Sequence, residues 1–253
     1  PNLCIKNDAS YHDMYYMNPP AKDLSKIASS DKVKKVQKDF EATHVRPQRL
    51  MKTLFTDEAY VKANVDEARL MRRLFDLACN MQSHDTDMQL YSLFTDEECY
   101  DLWSCNNLYW YLTHACSPVT DGLMPYREAD LLRNILDRAD AALKEGKNQA
   151  TLRFGHESCL LPLVALLELN HYGESYPDVE KLSEQWRAYD IFPMASNVQF
   201  VFFHKKGSND VLVKVLLNEK ETKLPVKTDV APYYHWKDVE SYYREKLDKY
   251  QHI

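Results

Sequence analysis

The feature that most constrains this fold is a change of texture along the chain. From about residue 21 to 122 the pattern is helix after helix. From about 123 to 253 strand-like and helix-like runs alternate, and a short strand-like run also stands near the beginning, at 3–6. Helical sequence interrupting alternating strand and helix is most simply a helical block inserted into an α/β domain. Residues 1–20 are therefore expected to open an α/β domain, 21–122 to form a helical cap, and 123–253 to complete the α/β domain.

The helical signals are spacings and caps. Leu24, Ile27, Val33, Val36 and Phe40 predict helix over 23 to about 43, with a break near Ser29-Ser30. Thr56-Asp57-Glu58 opens a long helical pattern to about Met81, in which Val61, Val65, Leu70, Leu74 and Leu77 recur mostly at threes and fours. Thr95-Asp96-Glu97-Glu98 spells a capping box, with Thr95 as N-cap and Glu98 three residues on. Arg127-Glu128-Ala129-Asp130 makes another acidic start, followed by Leu131, Leu132, Ile135 and Leu136, and Gly146 suits the position just past that helix. Elsewhere, 3–6 and 150–154 read as strands and 11–20 as loop. The run 159–169 reads as a mostly apolar helix, 197–204 and 211–217 as a hairpin around 205–210, and 235–250 as a final amphipathic helix with Trp236, Val239, Tyr243 and Leu247 on one stripe.

Composition removes several functional classes. With 253 residues, 45% hydrophobic and 28% charged, the chain is globular and long enough to bury a substantial core. Only five glycines occur, and neither GxGxxG nor GxxxxGK[ST] is present, which excludes the dinucleotide-binding and P-loop readings. A net charge of −6 argues against nucleic acid as a partner. It leaves a phosphate substrate open, because a few cations in a cleft focus a local positive field. The six cysteines form no CxxC pair, so no zinc ribbon or thioredoxin-type site is expected, and their even number permits disulfides without fixing a compartment. The longest apolar run, 159–167, is interrupted by Pro162 and is too short to span a bilayer.

Gly155-His156-Glu157-Ser158 carries the chemistry. It follows an expected strand and precedes an expected helix, the place where α/β folds bind ligands and where a helix end favours an anion. A histidine there can hold a phosphoryl oxygen, and a neighbouring carboxyl can protonate a leaving alcohol. The segment Leu152-Arg153-Phe154-Gly155-His156-Glu157-Ser158-Cys159-Leu160-Leu161-Pro162-Leu163 resembles the second catalytic motif of branch-2 histidine phosphatases. Among these it is most similar to multiple inositol polyphosphate phosphatases, which have Arg-Phe-Gly-His there. The run 91–98 resembles their Leu-Phe-Thr-x-Glu helix start. The runs 193–200 and 217–219, with Leu224-Pro225, resemble their last sheet segments.

The resemblance implies a three-layer α/β/α phosphatase domain whose inserted helical cap lines one side of the cleft and sets substrate preference. It implies two-step hydrolysis of phosphomonoesters through phosphohistidine, with phytate and lower inositol phosphates as substrates and neither metal nor other cofactor. His156 matches the histidine that stabilises the transferred phosphate, and Glu157 stands where many members have the proton-donating acid. In multiple inositol polyphosphate phosphatases the motif is often His-Ala-Glu, and the later position is Ser158 here. The family's first motif, Arg-His-Gly-x-Arg-x-Pro, is absent: no Arg-His and no His-Gly dipeptide occurs. The nearest string, His44-Val45-Arg46-Pro47, has no strand before it and reads as a coincidence. The chain is thus expected to be the C-terminal part of a longer enzyme, partnered by the N-terminal segment that carries the nucleophile and inactive alone. The family's usual setting implies a secreted or periplasmic protein.

Arg153, Arg46 and Arg49, with Lys6 and Lys52, are candidate contacts for a polyanionic substrate, and each also reads as an ordinary surface charge. Ser83-His84-Asp85-Thr86 spells a common variant of the second motif, but it follows a helical pattern and lacks the preceding glycine. Two rival functions share these residues: a less specific acid phosphatase, and a binding module that keeps the fold without the nucleophile.

Overall fold

A computed structural model describes residues 22–146 and 149–250. The strand expected at 3–6, the loop at 11–20 and Lys6 lie outside the described residues. The remainder resolves into two compact units, one comprising Ser30–Tyr109 and the other the chain up to Ser29 together with Trp110 onward.

In the helical unit, caps dictate where helices start and stop. Ser30 separates α1 (Lys22–Ala28), which belongs to the other unit, from α2 (Asp31–His44), and its side chain accepts from the Val33 N–H. After α3 (Gln48–Leu54), the long helix expected from Thr56 to Met81 is in fact two, α4 (Glu58–Asn64) and α5 (Glu67–Asn80). The reason is local: Asp57 and Asp66 each cap a helix, accepting from Tyr60 N and Arg69 N, while Val65 between them is extended. The apolar spacing spans the break because both helices turn their stripes to one core of Leu50, Met51, Val61, Met71, Ala78, Phe94 and Leu102. The capping box forms as read: Glu98 N–H donates to Thr95 Oγ1 at 3.2 Å and Thr95 N–H to Glu98 Oε2 at 3.0 Å. It starts α6 (Asp96–His114), which runs on into the second unit.

The second unit mixes helix and sheet, in keeping with the α/β class. A 3-10 turn, Met124–Glu128, leads directly into α7 (Ala129–Glu145), which ends at Gly146 in the left-handed conformation (φ 64°) that glycine adopts without a Cβ clash. The apolar helix α8 (Glu157–Leu166) is buried from Leu161 through Leu166, so it is a core element rather than a surface one. Two short helices, α9 (Leu182–Gln185) and α10 (Ala188–Ile191), follow. The expected hairpin is β1 (Val198–His204) and β2 (Val211–Leu217), paired antiparallel from Val198↔Leu217 to His204↔Val211. The same β2 also pairs with β3 (Lys220–Glu221) and β4 (Tyr234–His235) in one four-stranded sheet. Val213, Val215 and Leu217 alternate onto its buried face. The final helix α11 (Trp236–Tyr250) buries Trp236, Val239, Tyr243 and Leu247, the stripe read from sequence. The Tyr243 hydroxyl donates to Leu167 O at 2.7 Å, and the Trp236 indole donates to Asp140 on α7 at 2.8 Å.

One expected element is not formed. Residues 150–154 make no strand; they run without ladder bonds into His156. A strand needs a neighbour to bond with, and among the described residues none pairs with this segment. Leu152 and Phe154 are 70% and 85% exposed, whereas the half-buried Arg153 turns back and donates to Asn134 Oδ1 on α7.

Candidate active site

The turn at 155–158 delivers an extended segment into the start of a buried helix. His156 is the N-cap of α8, with extended backbone (φ −108°, ψ 164°), and its side chain makes no capping hydrogen bond. Its carbonyl accepts from Cys159 N at 3.0 Å and from Leu160 N at 3.1 Å. Helix geometry leaves the N–H groups of Glu157 and Ser158 without an intrahelical acceptor, and the α8 dipole adds partial positive charge at the same end. The His156 and Glu157 side chains are both exposed there. An exposed imidazole that is not used as a cap, beside free N–H groups, can bind an anion. Glu157 in the first turn is what any helix start favours, and it is also placed to hand a proton to an atom bound beside it.

The three basic candidates are engaged by the protein itself. Arg153 is held by Asn134. Arg46 forms ion pairs with Glu97 at 2.7 Å and with Asp101. Arg49 grips Glu98 through two nitrogens, Nε at 2.7 Å from Oε1, and also donates to Leu93 O at 2.6 Å. These contacts hold both arginine pKa values above their ordinary value, through hydrogen bonds to Glu97 and Asp101 for Arg46 and to Glu98 for Arg49. Arg46 and Arg49 lie in the helical unit, His156, Glu157 and Arg153 in the other. The His84 string sits in an exposed loop after α5 and the 3-10 turn Met81–Ser83, and His84 starts no helix.

Residues 5–218 match the histidine phosphatase superfamily (branch 2). The chain belongs to that family. Among proteins similar to this histidine phosphatase is human multiple inositol polyphosphate phosphatase 1, 28% identical over 134 residues, 48% of this chain and 27% of that protein. Solved structures of the Bifidobacterium longum multiple inositol polyphosphate phosphatase are also similar. The phosphate complex has a TM-score of 0.62 at 19% identity, covering 96% of this chain and 60% of that one. The inositol hexasulfate complex has a TM-score of 0.56 at 19% identity, covering 94% and 58%. At that identity the structural likeness speaks for the fold. The chain thus spans less than two thirds of the length of each of these relatives.

Sequence reading of this histidine phosphatase missed titratable groups whose behaviour is set by burial or by partners distant in sequence. Glu128, read as one more acidic helix start, is 2% exposed, and burial pushes its carboxyl up to about 8. Burial likewise lowers His114 to about 4. His235 is clamped between Asp210 and Asp229, its ring nitrogens 3.0 and 2.9 Å from their oxygens. Nothing in the spelling around these residues marks them, because burial and long-range pairing are properties of packing. Among the described residues no group of three or more His, Cys, Asp or Glu side chains gathers as a metal site would need. None of the five described cysteines is in a disulfide, and no described helix is long and apolar enough to cross a membrane.

Proposed function

We propose that this histidine phosphatase domain takes part in hydrolysing phosphomonoesters of inositol polyphosphates such as phytate, through a phosphohistidine intermediate. The observation that carries the reading is His156, exposed and uncommitted at the N-terminus of α8. A nucleophilic histidine from an Arg-His-Gly-x-Arg-x-Pro segment, which these 253 residues do not contain, attacks phosphorus. The bond from phosphorus to the alcohol oxygen breaks, and Glu157 gives that oxygen its proton. Water then attacks the phosphohistidine, the P–N bond breaks, and the Glu157 carboxylate takes the water's proton. His156, with the α8 N–H groups, holds the phosphoryl oxygens through both steps. The relatives named for inositol polyphosphates support the substrate class. The helical block is assigned the role of a cap that sets substrate preference, and Arg153, Arg46 and Arg49 the role of reserve cations for a polyanion. For the two ion-paired arginines this requires substrate phosphates to displace carboxylates. A secreted or periplasmic location goes with the same reading.

The test is made in the longer enzyme that supplies the nucleophile. His156→Ala is expected to lower kcat by about 100-fold or more, while His84→Ala leaves it unchanged. Glu157→Gln is expected to slow esters with poor leaving groups much more than p-nitrophenyl phosphate, which needs no proton. Equal activity in His156→Ala and wild type overturns the assignment. A Glu157→Gln enzyme that slows both esters alike moves the proton donor elsewhere.

A further inference from the structure

Glu128, a buried carboxyl that the catalytic reading does not use, lies against the same helix. The Met124–Glu128 turn packs along α8. Glu128 ends that turn at 2% exposure, and its Oε2 has no hydrogen-bond partner. Its electrostatic neighbour on α8 is the Cys159 thiol, third residue of the helix, 6% exposed, whose N–H bonds to the His156 carbonyl. The first turn of α8 thus has two sides. His156 and Glu157 face solvent, and Cys159 faces the interior with Glu128 near it.

We propose that Glu128 is a positioning residue for the anion site, a buried carboxyl kept uncharged beneath the first turn of α8 so that nothing negative opposes a phosphate bound on its outer side. This rests on the anion-binding reading of His156. A carboxylate buried close to the helix start would cancel much of the partial positive charge that the dipole and free N–H groups present, and would do so through a low-dielectric interior that screens little. Burial keeps the proton on: the ordinary value of 4.5 rises to about 8, with Arg127 the one charge opposing the rise. The other titratable groups on the surrounding elements leave that balance intact. On α8 these are Cys159, itself pushed up to about 11 by burial, and the exposed Glu157. On α7 Asp130 is exposed and Arg133 pairs with Asp248, while on α1 Lys26 pairs with Asp23 at the surface. His114, which shares the neighbourhood of Arg127, is held neutral by its own burial. The expected consequence is an anion site that weakens above about pH 8 as Glu128 ionises.

The experiment titrates inorganic sulfate, whose charge is constant over the range, into the full 253-residue chain between pH 6.5 and 9.5, following the backbone amides of Glu157 and Ser158 by NMR. Wild type is expected to lose fivefold or more in sulfate affinity between pH 7.5 and 9.5. The near-isosteric Glu128→Gln should lose no more than twofold, and Glu128→Asp should restore the loss. Thermal unfolding of the same samples separates a structural role, which moves Tm without moving sulfate affinity. Parallel affinity profiles in wild type and Glu128→Gln overturn the proposal while leaving the anion site standing. Failure of wild type to bind sulfate at pH 6.5 removes the anion site itself, and with it both this proposal and the reading of His156.

Discussion

Glu98 closes the capping box of α6 and at the same time receives the Arg49 guanidinium, so one carboxylate serves a helix start and a tertiary contact. The first role is written in four consecutive letters, whereas the second joins residues 49 apart. Arg49 is the main cause of the lowered Glu98 pKa, ahead of the Thr95 N–H, and burial opposes both. A carboxyl whose folded value lies below its unfolded 4.5 contributes stability that is present above about pH 4.5 and is lost as pH falls through the folded value. Wild type is therefore expected to lose denaturant resistance on acidification below pH 4.5 more steeply than Glu98→Gln. Thr95→Ala, which removes only the cap, is expected to cost about 1 kcal/mol at neutral pH. Urea midpoints at pH 7 and pH 3.5 check both, and acid slopes that match in wild type and Glu98→Gln would refute the first. At this scale the place of His156 at a helix start was readable from its neighbours along the chain. The sequence could not tell Arg46 and Arg49 from free surface cations, because the carboxylates that engage them come from the start of α6, about 50 residues away.

Elements were legible where their causes are local. The Ser30 break, the start of α6, the Gly146 stop, the hairpin and the α11 stripe all stand as read. The 56–81 pattern misled because apolar periodicity continues through Val65 while an aspartate cap interrupts the backbone. The 150–154 segment misled because a short run of residues does not state whether a neighbouring strand exists to pair with it. Its exposure makes a sharp prediction. Phe154→Ser, at a site 85% exposed, should change stability of the chain by less than about 0.5 kcal/mol, whereas Leu132→Ala, at a fully buried position of α7, should cost about 2–5 kcal/mol. Equilibrium unfolding in urea distinguishes them, and a Phe154→Ser loss as large as that of Leu132→Ala would show that Phe154 is packed in solution.

At the scale of the whole molecule, the catalytic cycle proposed above needs a histidine nucleophile that no Arg-His-Gly string supplies here. Purified alone, the 253-residue chain is expected to release no phosphate from phytate or p-nitrophenyl phosphate, in a malachite-green assay sensitive enough to detect a 10⁴-fold slower enzyme. Turnover sensitive to His156→Ala would mean that the nucleophile lies within this chain. The helical unit has its own core around Leu50, Met71 and Leu102. The mixed unit buries Trp186, Tyr111, Tyr243, Leu132 and Leu161. Each core is a set of apolar stripes whose period was readable, while the choice of which stripes share a core was not.

By itself the sequence pointed to the α/β class, the capped start of α6, the stop at Gly146, the β1–β2 hairpin and the family resemblance around His156, since each is read from residues close together in the chain. Tertiary structure alone decided that Glu128 is buried, which raises its carboxyl pKa, that Arg46 and Arg49 are engaged by carboxylates, and that 150–154 joins no strand among the described residues. Protonation, ion pairing and strand pairing depend on desolvation and on partners distant in sequence, and only folding brings those together.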